Sequence, residues 1–187
     1  GNIVSNIGDV GIEVGNNGRI MHSTFNITGN TIANASGDGI LIRNANNGCI
    51  VGNSIVSGGS SATSSGIGIF AAEADCENIA ISGNNIANRQ NGSGIRVGIA
   101  GSFRARRLTI SGNSLKGVIG SNNGVEFQGF GESSIVNNNN ITNWNRNGIE
   151  LNGNFNEARL IKDCIISSNI IQNNGIHGIS GSALVNC

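Results

Sequence analysis

Proline and tyrosine are absent from the 187 residues, tryptophan and methionine occur once each, and 12% of side chains are charged, with zero formal net charge. So sparse and balanced a charge inventory offers no electrostatic grip on nucleic acid or anionic lipid, and no nucleic-acid partner is expected. No apolar run approaches the ~18 residues of a membrane span, so no spanning helix is expected either. There is no initiator Met and no signal-peptide pattern, and Gly1 already lies inside a repeated motif. The chain therefore reads as one domain, 1–187, belonging to a longer protein. The four cysteines, Cys49, Cys76, Cys164 and Cys187, show no CxxC and no metal-ligand spacing with His22 or His177, so no metal or cofactor is expected. Buried free thiols are the simplest reading, because Cys is among the most buried residue types. A Cys49–Cys76 or Cys164–Cys187 bridge between neighbouring repeats stays open.

What is present is Gly, thirty of them, a comparable number of Asn, and a motif that recurs. "ITGNTIANASGDGILI" (27–42), "ISGNNIANRQNGSGIRV" (81–97) and "ISGNSLKGVIGSNNGVEF" (110–127) share one skeleton, and "IISSNIIQNNGIHGIS" (165–180) keeps it loosely. Anchored on one Asn, seven copies align: Asn2, Asn30, Asn53, Asn84, Asn113, Asn139 and Asn169. An apolar residue stands two positions later each time: Val4, Ile32, Ile55, Ile86, Leu115, Ile141 and Ile171. A Gly follows nine to thirteen residues after the Asn and opens a strand of alternating type, as in Gly39-Ile40-Leu41-Ile42.

Each repeat thus holds three short period-two segments rich in Ile and Val, separated by Gly, Asn and Ser. No helical spacing persists. One repeat cannot bury its apolar face, so the copies must stack, and variable repeat length with a constant strand count predicts a parallel β-helix. The predicted fold is all-β, a right-handed parallel β-helix of about seven three-strand rungs. Stacked rungs lie ~4.8 Å apart, close enough for the repeated Asn to form a ladder of side-chain amides at a turn. Left-handed backbone, which Asn tolerates and Gly adopts freely, suits that turn. A second, incomplete ladder is expected at Asn6, Asn34, Asn88, Asn143 and Asn173. The absence of proline fits, since each rung needs its backbone N–H groups for the next.

These repeats resemble the right-handed parallel β-helix (pectin-lyase-like) superfamily over essentially the whole chain, closest in character to phage tailspikes and PbH1-repeat proteins. The resemblance implies extended polysaccharide lying along one face of the coil, in an extracellular or virion setting. It implies no specific chemistry. The motif of polygalacturonase-like enzymes is reduced here to Ile176-His177-Gly178 without paired Asp, and the Asp-Pro-His motif of alginate epimerases is absent. Asp9, Asp38, Asp75 and Asp163 do not recur at one repeat position, as the calcium site of pectate lyases would need.

Down the stack, the outward position of the Gly-Ile-x-Ile strand reads Glu13, Leu41, Gly68, Arg96, Glu126, Glu150 and Ser180. Glu126 and Glu150 should neighbour each other on consecutive rungs, with Arg96 one rung before them. Paired carboxylates flanking a scissile bond are the equipment of glycosidases, so Glu126 and Glu150 are the candidate catalytic residues. Arg96, Trp144 and His177 are the candidate substrate-binding residues. Trp144, if exposed, could stack on a sugar ring, and His177 should lie beside Asn147, near Glu150 and Ser180. Phe103, Phe130 and Phe155 fall in variable loops, either as an aromatic track or as loop anchors. The run Phe103-Arg104-Ala105-Arg106-Arg107 reads as a solvated loop. The leading functional expectation is a carbohydrate-recognising segment of a tailspike-like appendage, with or without depolymerase activity. The alternative is a structural shaft or adhesin stalk. Expected partners are polysaccharide and, at the cut ends of the coil, either a homo-oligomer such as a trimer or a capping domain.

Overall fold

The computed structural model describes residues 1–15, 22–87, 89–99, 103–129, 131–153 and 160–187. Among them there is no helix, and the strands pair in parallel into three sheets. The first sheet stacks seven strands, from Ile3–Ser5 through Asn85–Ala87 to Ile170–Gln172. The second also stacks seven, from Ile12–Val14 through Ser93–Ile99 to Ile179–Ser182. The third holds ten, because its later rungs break into two short strands each, such as Ala105–Arg106 and Thr109–Ser111. The chain winds through the sheets in turn, making a parallel β-solenoid of about six turns.

Register explains why the repeat tolerates unequal lengths. Ile32 pairs with Ile55, Ile55 with Ile86, Ile86 with Leu115, and Leu115 with Ile141. All five are buried, and Val4 and Ile171 at the two ends of the column are partly buried. Residues added or removed between rungs fall in the turns and leave this column intact.

The Asn ladder forms, with a geometry that accounts for every amide atom along its middle. Each Asn Oδ1 accepts from both the backbone N–H and the Nδ2 of the Asn one rung before it, at 2.9–3.1 Å, along the whole run from Asn2 to Asn169. The other Nδ2 proton goes to a backbone carbonyl, for instance from Asn84 to Ile50 and from Asn113 to Ile81. The left-handed residue is not the ladder Asn, however. It is the one before it: Gly29, Gly52, Gly83 and Gly112 at φ 63–64, then Asn138 and Ser168 at 54 and 55. This division of labour lets the Asn point inward while its neighbour makes the bend. At the second ladder the Asn itself bends the chain, as at Asn6, Asn34, Asn143 and Asn173, and Asn34 donates to Asn6 at 3.0 Å. Asn88 lies outside the described residues.

The recurring Gly has a different cause. A Cβ placed on Gly39, Gly66, Gly124 or Gly148 would stand 2.3–2.7 Å from an Ile Cγ2 and from the carbonyl of the equivalent Gly one rung on. Space, not backbone freedom, excludes a side chain there.

Candidate functional site

The second sheet presents its outer face as three parallel columns. One position before the repeat Gly stand Asp38, Ser65, Ser93, Asn123, Asn147 and His177. Two positions after it stand Leu41, Gly68, Arg96, Glu126, Glu150 and Ser180, paired in that order by the strand register. Four positions after it stand Arg43, Phe70, Gly98, Gln128, Asn152 and Ser182. Strand alternation sends the second and third columns to the same side, and the first, three positions ahead of the second, joins them through the hydrogen bonds of Ser93 to Glu126 and of Asn123 to Glu150. The period of two that marks the middle column, carried one step towards the C-terminus, also contains the third; the first column lies off that period, at the turn that opens the strand.

Glu126 and Glu150 are in-register neighbours, with Arg96 paired to Glu126 from the preceding rung. Their surroundings differ from those of a solvated column. Glu126 is buried, at 5% exposure; its Oε2 accepts from Ser93 Oγ at 2.5 Å and its Oε1 accepts from Gln128 Nε2. Glu150 accepts from Asn123 Nδ2 at 2.6 Å. The two carboxylates are therefore used as acceptors that tie one rung to another.

Arg96 reaches Glu126 only through Gln128: its Nη2 donates to Gln128 Oε1 at 2.5 Å and its Nη1 to the Thr63 carbonyl at 2.8 Å. Its Nε is buried without a partner. Ahead of Arg96 in the column comes Gly68, where no side chain fills the face, and a cavity of about 330 Å³ opens there. Its walls include Asp38, Arg43, Thr63, Ser65, Phe70 and Arg96. Arg43 lies 5.6 Å from the centre of the Phe70 ring and donates to Glu13 at 2.9 Å. Asp38 Oδ1 accepts from both the N–H and the Oγ of Ser65 at 2.6 Å. Burial pushes the Asp38 carboxyl above its ordinary value, against the opposing pull of the Ser65 hydrogen bonds and of Arg89 and Arg96.

Beneath this notch lies Arg89, fully buried, donating to the carbonyls of Ser57 at 2.9 Å and Gly37 at 2.5 Å. Burial lowers its pKa to about 10, with Asp38 pulling the other way. Gly58 and Gly59, at φ 99 and 78, wrap its guanidinium; a Cβ on Gly58 would come within 2.9 Å of Nη1. The turn that follows carries Thr63 to the edge of the cavity. Asn91 and Asn122 hold that turn from later rungs by donating to the Ser60 and Ala62 carbonyls at 3.2 and 3.0 Å. Nothing in the linear sequence marks Arg89 as the support of this wall, because its partners are main-chain atoms up to 52 residues away.

Trp144 does not belong to the face. It is 1% exposed, packed inside the coil, and its indole N–H donates to the Leu115 carbonyl at 3.2 Å. Gly94 and Gly124 make the room: a Cβ at either would sit 2.9 or 3.3 Å from the indole. An exposed stacking platform is therefore corrected to a core side chain, which is where the largest apolar surface in the chain is best placed. His177 is exposed at the end of its column, and its backbone N–H donates to Asn147 Oδ1 at 3.2 Å. The notch and the two glutamates adjoin through Arg96 and Gln128; His177 stands apart, further along the stack.

Two further expectations concern the loops. Phe103 is half-buried against the core, the behaviour of a loop anchor, while Phe130 and Phe155 lie outside the described residues. The basic run is paired on the third sheet: Arg106 with Asp75 at 2.8 Å and Glu77 at 3.0 Å, Arg107 with Glu77, and Arg104 with Glu132 at 3.1 Å.

The chain is thus a parallel β-solenoid with one outer face of ordered polar side chains around a small notch. Comparison with family models, with curated proteins and with solved structures gives no match.

Proposed function

We propose that the protein is a carbohydrate-recognising β-helix segment of a tailspike-like appendage, extracellular or on a virion, that holds polysaccharide along the outer face of the second sheet. The observation that carries this reading is the notch over Gly68, which combines an aromatic ring, two guanidinium groups, a carboxylate and hydroxyls in about 330 Å³. Sugars need apolar stacking area together with donors and acceptors fixed in advance, and Phe70 and Arg96 supply the two kinds. The columns beyond it continue the polar surface through Gln128, Glu126 and Glu150, as an extended ligand requires.

Binding without cleavage is the favoured form of the proposal. Hydrolysis needs one carboxyl group to deliver a proton to the leaving oxygen and a second to attack or activate water. Both oxygens of Glu126 are occupied by donors from its own wall. The in-register pairing of Glu126 with Glu150 supports the depolymerase as the second reading. Assembly with further copies, such as a trimer, or with a capping domain belongs to the same proposal. It is supported by the exposed Ile165, Ile170, Ile179 and Leu184 on the last rung and Ile3 on the first.

The test is binding and depolymerisation of neutral and acidic glycans by the wild type, Arg96→Ala and Glu126→Gln. Recognition predicts saturable binding that falls at least tenfold in Arg96→Ala, with no new reducing ends. Release of reducing ends that stops in Glu126→Gln would convert the reading to a depolymerase. Absence of both from the wild type would leave a shaft.

A further inference from the structure

We propose that Cys164 and Cys187 are a redox pair that closes to a disulfide and staples the last turn of the coil. Of the two pairings open from the sequence, the register favours only this one. Lys162 pairs with Val185, so two positions on, Cys164 stands across from Cys187 on the neighbouring rung. Between the paired residues and the cysteines come Asp163 and Asn186, both left-handed at φ 52 and 53. The two rungs therefore leave the bend alike and aim their Cβ atoms the same way. Asn186 Nδ2 donates to Asp163 Oδ1 at 3.1 Å, which locks that match. Adjacent parallel strands place facing Cα atoms ~4.8 Å apart, inside the window of roughly 4.4–6.8 Å that a disulfide spans.

Both sulfurs already occupy one space. They line a cavity of about 240 Å³, together with Leu151, Ile166, Ile179 and Leu184. Cys164 is buried, and Cys187 is exposed. Burial, and then the neighbouring Cys187, push the Cys164 thiol up to about 11, the mark of a thiol that reacts second. Cys49 and Cys76 show the contrast. Cys49 pairs with Ala80, four positions along the strand from Cys76, which pairs with Ala105 instead. A four-residue step, with the Asn78 bend within it, separates those positions, more than a disulfide spans.

The reaction is exchange with a low-molecular-weight disulfide such as oxidised glutathione. The Cys187 thiolate attacks one sulfur and releases a first glutathione thiolate. The Cys164 thiolate then attacks Cys187 Sγ and releases the second. Two protein thiols are oxidised, one small disulfide is reduced to two thiols, and the two protons pass to the departing glutathiones. The consequence is structural. The rungs it joins carry the exposed apolar residues Ile165, Ile170, Ile179 and Leu184, so a staple there bears directly on how readily this part of the coil opens.

The full chain, reduced and then equilibrated with oxidised glutathione, is alkylated and digested with trypsin. No Lys or Arg falls between Asp163 and Cys187, so both thiols travel on one peptide. That peptide is expected to be about 2 Da lighter and to take up no alkyl group, whereas the reduced peptide takes up two. Amide exchange of Ile179–Ser182 is expected to slow at least tenfold on oxidation and to stay unchanged in Cys187→Ser. Two alkyl groups after oxidation, a stable glutathione adduct on Cys187, or Cys164 joined to Cys49 or Cys76 would each overturn the proposal.

Discussion

The inside of the coil and the outer face of its second sheet follow opposite rules. Inside, one residue type recurs from rung to rung: Asn at the ladder, Ile in the column below it, Gly in the slot beside that column. Outside, no residue type persists for more than two rungs, and Leu41, Gly68, Arg96, Glu126, Glu150 and Ser180 share a single column. Repetition marks positions where the neighbour one rung away dictates the side chain, because the same gap or the same amide must be met each time. Variation marks positions that answer to something other than the stack. That contrast directs attention to the notch over Gly68.

The contrast can be pressed hardest at Trp144, which sits inside although its rung neighbours carry no aromatic there. Trp144→Ala is expected to cost about 4 kcal/mol by emptying a large buried volume. The loss would appear as a lower denaturation midpoint, with glycan affinity per folded molecule unchanged. Preserved stability would put the indole outside after all.

Next comes the ladder. Asn113→Ala removes the acceptor for both the backbone N–H and the Nδ2 of Asn84, and the donor to the Ile81 carbonyl. Three buried groups lose partners, each worth 1 kcal/mol or more, so about 3 kcal/mol is expected in urea unfolding. A change under about 1 kcal/mol would show that the ladder decorates the coil without holding it.

A smaller effect belongs to Cys164, where the repeating interior column ends in sulfur. Its folded pKa, about 11, lies above the ordinary 9.0, so the fold favours the neutral thiol. That contribution is complete below pH 9.0 and is lost as pH rises towards about 11. Reduced wild type should therefore lose thermal stability across this window more steeply than Cys164→Ser, whose counterpart one rung before is already Ser134. Superimposable melting curves at pH 8 and 10.5 for both proteins would contradict it.

The smallest change is expected on the outside of the third sheet. Arg106→Gln breaks the pairs with Asp75 and Glu77, which are partly solvated, and should cost under about 1 kcal/mol and fade with added salt. A larger, salt-insensitive loss would mean that this surface network carries weight comparable to the interior.

How much could be read in advance differs along the same lines. The Asn ladder, the Ile column and the Gly slot were legible because each is a neighbour-to-neighbour rule that writes the same kind of residue on every rung. The third sheet's bend was not. Thr24, Asn47, Asn78, Arg107, Ser133, Asp163 and Asn186 all take the left-handed conformation at the same place in successive rungs, yet span five residue types. Their bend is imposed by the sheets on either side. In the candidate site, Glu126 and Glu150 were placed as neighbours by counting alone, but their roles as acceptors from Ser93, Gln128 and Asn123 depended on side chains 2–33 residues away.

By itself the sequence determined that this chain is a stacked all-β coil and that its Asn, Ile and Gly columns face inward, because burial and hydrogen bonding between equal rungs leave few letters that fit. Tertiary structure decided that Trp144 is core, that Arg89 supports a wall and that Gly68 opens a notch. It also brought Cys164 to face Cys187. Each of those depends on where unequal loops and unlike side chains meet across rungs, and no periodicity encodes such meetings.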